Sequence, residues 1–93
     1  MPELARFFGI VISIFYEDHD PPHVHASNGN RGHAEWMAQI TINDGVVLEG
    51  GIPRTALRPI RRWMQIHHNE LLAAWEKARN GVKPGKIAPL RVR

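Results

Sequence analysis

The segment from His33 to Ile42 constrains the fold most, because apolar and polar residues alternate strictly along it. Side chains of a β-strand point alternately to opposite faces, so a period of two predicts a strand with one buried face. A strand of this kind needs a sheet beside it and a second layer over its apolar side. The residues expected on the buried face are Ala34, Trp36, Ala38, Ile40 and Ile42.

Three more strands are predicted around this one. Phe7–Glu17 is rich in Ile, Val and Phe on both faces, which is typical of a central strand. Pro21-Pro22 ends it, since proline has no amide hydrogen to donate. The other two strands are His23–Ser27 and Val46–Glu49, and Asn- and Gly-rich turns separate the last three strands.

A change of period after Pro53 predicts a helix from about Thr55 to Arg79, with one continuous apolar face. Asn69 could cap a second helix, so the segment is either one helix or two consecutive ones. The predicted fold class is α+β: a four-stranded antiparallel β-meander with a C-terminal amphipathic helix packed on its apolar face.

The chain of 93 residues is expected to form a single domain, with 82–93 as a basic tail that is extended or disordered. Without cysteine it has no disulfide, thiolate zinc site or cysteine nucleophile. Its longest apolar run, Phe7–Tyr16, is well short of the roughly 20 residues that span a membrane. We therefore expect a cytoplasmic protein without a membrane partner.

The charge is divided unevenly along the chain, −5 for residues 1–51 and +8 for residues 52–93. Four arginines recur on one stripe of the predicted helix, opposite its apolar face: Arg54, Arg58, Arg61 and Arg62. Guanidinium groups in a row are typical of a phosphate-binding surface, to which Lys83 and Lys86 would add. The alternatives are a solvated polar face or a docking surface for an acidic partner protein.

Three of the six histidines fall between Asp18 and Ala26, namely His19, His23 and His25. His23 and His25 are two residues apart in a strand and share a face. A pairing in which residue numbers sum to 58 would place His25 opposite His33 and His23 opposite Glu35. A slip by one residue would move every side chain to the other face, so the site depends on this register.

Three interpretations of these histidines remain open. One is general acid–base catalysis on a phosphodiester by His19, His23, His25, His33 and Glu35. The second is a divalent metal site, such as zinc, with His23, His25 and a carboxylate as ligands; Asp20 is the preferred carboxylate, and Asp18 and Glu35 are alternatives. The third is structural, with the imidazoles bonded to the acidic turn.

The chain resembles the bacterial DUF4160 family, a domain of unknown function. The resemblance is carried by Asp18-His19-Asp20-Pro21-Pro22-His23-Val24-His25-Ala26, by Pro2-Glu3 with Arg6–Ile10, by Asp44-Gly45 running into Leu48-Glu49-Gly50, and by Pro53-Arg54 with Trp63 and Leu71–Trp75. It implies a gene context of toxin–antitoxin-type pairs, commonly beside a DUF2442 protein, and it supplies no established catalytic residues that could be assigned to positions in this chain.

The leading functional hypothesis is a small toxin-like component that binds nucleic acid, RNA or DNA with RNA favoured, through the arginine stripe. Any enzymatic activity would be ribonuclease-like, with or without a metal ion. The rival hypotheses are a non-catalytic module that partners a small antitoxin-like protein and a histidine-rich metal-binding domain. Under any of these hypotheses the protein could form a homo-oligomer.

Overall fold

The computed structural model describes residues 2–29 and 34–92, which form an antiparallel sheet followed by two helices. The strands are adjacent in space in chain order, so the sheet is a meander. This confirms the α+β class, but the prediction of four strands is wrong because the described residues form five. The elements are β1 (Glu3–Phe7), β2 (Ile10–Ser13), β3 (His23–Ser27), β4 (Met37–Thr41), β5 (Val47–Gly50), α1 (Arg54–Ile66) and α2 (His68–Arg79).

The additional strand is β1, which lies almost entirely ahead of the predicted strand Phe7–Glu17 and pairs with β2 as a hairpin. Phe7 pairs with Ile10 across a two-residue turn, in which Phe8 and Gly9 have φ of 52° and 74°. Positive φ at both central residues is typical of a type I′ turn, whose twist matches that of the flanking strands and whose usual sequence is Asn-Gly. Phe8 is an unusual residue there, so the composition does not reveal the turn.

The register between β3 and β4 differs from the prediction but keeps its parity. His23 lies opposite Thr41 and His25 opposite Gln39, so paired residue numbers sum to 64 rather than 58. The expected pairing of His23 with Glu35 and of His25 with His33 is therefore wrong. Glu35 precedes β4 and is exposed, and His33 lies outside the described residues.

The core lies between one face of the sheet and the two helices. Ala38, Ile40 and Ile42 are buried, as their alternation predicts, and Trp36 is half-buried at the margin. The helices contribute fully buried side chains, among them Trp63 and Leu71.

The predicted helical segment forms two helices that meet at His67. The His67 N–H donates to the Trp63 carbonyl and the Leu71 N–H donates to the His67 carbonyl, so hydrogen bonding continues across the junction. The second helix begins at His68, so Asn69 lies inside it rather than capping it. Pro59 lies within α1 and is buried.

The segment after α2 packs against the domain without forming a helix or strand up to residue 92. Ile87 and Leu90 are buried, and the Ile87 N–H donates to the Leu4 carbonyl at 2.8 Å. The Trp63 indole N–H donates to the Ala88 carbonyl at 2.7 Å. In the described part of the chain, neither helix has the length and apolar content needed to cross a membrane.

Candidate metal centre

One carboxylate and two imidazoles converge beside the start of β3. Asp18 Oδ2 lies 3.0 Å from His23 Nε2 and 3.5 Å from His25 Nε2, and the three atoms are all within 4.8 Å of one another. The side chains are largely withdrawn from solvent, with 15% of Asp18, 6% of His23 and 15% of His25 exposed. We call these three residues the His–Asp cluster.

The backbone of the segment between β2 and β3 brings Asp18 to the two histidines. The Glu17 N–H donates to the Ala78 carbonyl, which ties this segment to the end of α2. The His19 N–H donates to Asp18 Oδ1 at 2.9 Å and leaves Oδ2 directed at the imidazoles. The carboxylate is thus held from both sides.

Each imidazole is held by a different neighbour. The His23 ring packs against Trp75 of α2, with ring centroids 5.2 Å apart, and its Nδ1 lies 2.7 Å from the Pro21 carbonyl oxygen. The His25 ring is stacked on Phe15 at a centroid distance of 3.9 Å. Both rings therefore present Nε2 to the same carboxylate oxygen.

The contacts of His23 determine where its protons lie. A carbonyl oxygen can only accept, so His23 Nδ1 carries a hydrogen, and in the neutral ring Nε2 has a lone pair. That lone pair faces an ionised carboxylate oxygen 3.0 Å away. Two acceptors at this distance require a proton or a metal ion between them.

The spacing of the cluster suits a metal ion. Imidazole nitrogens and carboxylate oxygens lie about 2.0–2.2 Å from zinc, so two ligands of a tetrahedral ion are about 3.4 Å apart. The two contacts of Asp18 Oδ2, at 3.0 and 3.5 Å, bracket this value. In metal proteins, the second nitrogen of a ligating histidine usually donates to a carbonyl or carboxylate, as His23 Nδ1 does to Pro21.

The electrostatics of the cluster favour the protonation states that a metal needs. Burial would raise the pKa of Asp18, but the His19 N–H and the charges on His23 and His25 outweigh it and lower the pKa. Burial lowers the pKa of His25 more than its hydrogen bond to Asp18 raises it. Both shifts favour the forms that bind a metal, the ionised Asp18 carboxylate and the neutral His25 imidazole.

The other residues predicted for this site lie apart from it or at its margin. Asp20, the preferred carboxylate, is exposed and lies 3.7 Å from Arg79, so Asp18 takes its place. His19 is 95% exposed, with Nδ1 3.5 Å from Asp18 Oδ1. The Glu35 N–H donates to the Asn28 side chain, and Glu35 does not join the cluster.

The four arginines predicted to bind nucleic acid share an exposed face of α1, opposite its buried residues. We call Arg54, Arg58, Arg61 and Arg62 the arginine face. Arg61 Nε donates to the Gly45 carbonyl at 2.9 Å. Lys83 and Lys86 are exposed on the tail, and Lys86 Nζ lies 3.6 Å from Glu3. The helix that contacts the His–Asp cluster is α2, through Trp75, so the two predicted sites are on different elements.

Sequence reasoning gave no role at this site to Phe15 or Trp75. Both occur in apolar segments, whose pattern indicates a strand for Phe15 and the buried face of a helix for Trp75. The spacing of Trp75 in the helix does predict that it faces the sheet, but not that it meets His23 there.

Comparison with known proteins gives one result. A family model described as a domain of unknown function, DUF4160, matches residues 9–76, roughly three quarters of the chain. The matched span includes the whole His–Asp cluster. No curated protein and no solved structure matches the chain. The chain therefore belongs to the DUF4160 family.

Proposed function

We propose that this chain is a metal-binding domain that holds a divalent transition-metal ion of the zinc type. Asp18 Oδ2, His23 Nε2 and His25 Nε2 are its three protein ligands. The observation that carries the proposal is the contact between His23 Nε2 and Asp18 Oδ2, made while His23 Nδ1 is already engaged by Pro21.

The donor set indicates which ions suit the site. Two imidazoles and one carboxylate bind zinc and neighbouring transition metals, whereas magnesium and calcium prefer oxygen ligands alone. A tetrahedral ion with three protein ligands keeps one position for water or substrate, as in catalytic rather than structural zinc sites.

The same contacts favour metal-assisted chemistry over direct acid–base catalysis by His23. Its side chain is 6% exposed, and both of its nitrogens face groups of the protein. A general acid or base must reach the proton that it transfers. His25, at 15% exposed, meets that requirement better but shares the same carboxylate.

Zinc binding to the chain without a histidine tag tests this proposal. After chelator treatment, calorimetry should show one zinc ion bound per chain. Asp18→Asn keeps the shape but removes the ligating charge, and should weaken binding more than about tenfold. The matched control is Asp20→Asn, which removes a nearby exposed carboxylate and should bind as the parent does. A parent chain that binds no zinc would show that the cation is a proton and the cluster an ion pair. Equal losses in the two variants would show that zinc does not use Asp18 as a ligand.

Nucleic-acid binding is a second candidate function, which the exposure of the arginine face supports. Replacing Arg54, Arg58 and Arg62 by glutamine should weaken RNA binding and flatten its salt dependence, since each phosphate contact releases counterions. A control variant with Lys77, Lys83 and Arg91 replaced has the same net charge. Equal RNA affinity in the two variants would show that charge alone, not this face, attracts RNA.

A toxin-like role beside an antitoxin-like DUF2442 partner is part of this second candidate. Induction in a bacterial culture should then arrest growth, and co-expression of the partner should restore it. Growth arrest that persists in the arginine-face variant but not in Asp18→Asn would assign the toxicity to the metal site. No arrest with the parent chain would count against the toxin-like role.

A further inference from the structure

A second site lies on the sheet face that carries His25. A cavity of about 330 Å³ opens there, and its lining comes from the strands and the segments adjoining them. Ligand pockets in proteins span about 300–1,000 Å³ and combine apolar walls with a few polar groups. The cavity is therefore large enough for a small organic molecule.

A row of polar side chains crosses the floor of the cavity from β2 to β5. Ser13 pairs with His25, His25 with Gln39, and Gln39 with Glu49. Neighbouring strands lie about 4.8 Å apart, so the row is about 14 Å long. Apolar groups lie beside it, from Val11, Phe15 and Met37. An occupant would meet hydrogen-bonding groups along one side and apolar surface along the other.

The charges of the lining distinguish its two ends. At the β1 end, Arg6 Nη2 lies 2.8 Å from Glu3 Oε1, so these two charges offset each other. At the β5 end, the Glu49 carboxylate accepts a hydrogen bond from Gln39, which is neutral. The lining contains two acids and one base, although the chain as a whole has a net charge of +3.

We propose that this cavity binds a compact organic amine, with its ammonium group at Glu49 and its apolar or aromatic body against Phe15 and Met37. An anionic occupant such as a phosphate would face the Glu49 carboxylate instead. The proposal does not depend on the metal site, since neither Asp18 nor His23 lines the cavity. His25 is common to both sites, so amine binding is measured on the full chain after a chelator has removed any metal ion.

A pair of probes that differ in charge tests the proposal. Tyramine and 3-(4-hydroxyphenyl)propanoate share a phenol and a two-carbon spacer but end in an ammonium and a carboxylate. Amide NMR titration at constant ionic strength should show tyramine binding about tenfold more tightly. The shifted signals should be those of Ser13, Ser27, Gln39 and Glu49.

Two variants locate the interaction. Glu49→Gln should weaken tyramine binding about threefold, the scale of a solvent-exposed ion pair. Met37→Lys places a positive charge beside the cavity at a half-exposed position and should weaken it further. Glu35→Gln is the matched control, because it removes an exposed acid outside the lining.

Three results would overturn the proposal: no shift at the cavity with tyramine, tighter binding of the propanoate, or equal losses in Glu49→Gln and Glu35→Gln.

Discussion

The imidazole of His25 lies flat on the ring of Phe15, with the ring planes 7° from parallel. This stacking fixes the rotation of the imidazole and with it the direction of Nε2, which is aimed at Asp18 Oδ2. Phe15 thus acts on the His–Asp cluster without contributing a ligand atom.

Phe15→Leu should weaken zinc binding several-fold, up to about tenfold, because the imidazole would lose its fixed orientation. The domain should stay folded, since Phe15 is only half-buried. Calorimetry measures the affinity, and Tyr16→Leu is a control at an adjacent, exposed aromatic residue. Unchanged affinity in Phe15→Leu would mean that β3 alone orients His25.

Comparing Trp63 with Trp75 shows how much one buried hydrogen bond contributes to the free energy of unfolding. Both are almost fully buried, but the Trp63 indole donates to Ala88, whereas the Trp75 Nε1 has no hydrogen-bond partner among the described residues. Trp63→Phe should therefore lower the free energy of unfolding by about 1 kcal/mol more than Trp75→Phe. Urea unfolding measures both. A larger loss in Trp75→Phe would indicate that its N–H has a partner in solution.

Glu17 has a φ of 55°, in the left-handed region of the backbone. Residues other than Gly, Asn and Asp adopt this region at a cost in free energy. Glu17→Asn should raise the free energy of unfolding above that of Glu17→Ala by about 0.5–1 kcal/mol. Both variants lack the exposed Glu17 carboxylate, so the difference in stability between them reports the preference of the backbone at this position. Equal stabilities in thermal unfolding would show that this turn relaxes in solution.

The Glu3–Arg6 pair predicts a pH dependence. The hydrogen bond from Arg6 and the charges of Arg6 and Lys86 outweigh burial and lower the pKa of Glu3. A carboxyl group with a lowered pKa stabilises the fold above its unfolded-state pKa, and this stabilisation is lost as the pH falls through the folded-state value. NMR titration of the Glu3 carboxyl should give a higher pKa in Arg6→Gln. Lys86→Gln should raise it less, because Lys86 Nζ lies 3.6 Å from Glu3 and Arg6 Nη2 lies 2.8 Å from it, and the reverse order would contradict this geometry.

Much of the fold can be predicted from hydrophobic period alone. Ala38, Ile40 and Ile42 alternate in the sequence and are buried in the sheet, and the arginine face lies opposite the buried side of α1 as its spacing predicts. These patterns are reliable because the period of a strand or helix alone determines which face each side chain lies on.

Features that depend on the conformation of a connection could not be predicted. The pairing of His23 with Thr41 depends on the length of the segment between β3 and β4, and its turn-forming residues are compatible with several lengths. Asp18 and Asp20 have the same side chain and lie two residues apart, so the sequence does not distinguish them as ligands. The path of the chain before Pro21 places Asp18, and not Asp20, beside the two histidines. The site was therefore predictable in its residue types but not in its exact members.

The packing of the tail also affects the order in which the domain is completed during synthesis. Each strand pairs with the strand that follows it in the chain, so the sheet is built from contacts between residues close in sequence. Contacts of this kind form early in folding. The Leu4 carbonyl and the Trp63 indole, however, receive their partners from Ile87 and Ala88. In a nascent chain that has emerged only through α2, the Leu4 carbonyl of β1 and the Trp63 indole of α1 would therefore both lack their partners from this late segment.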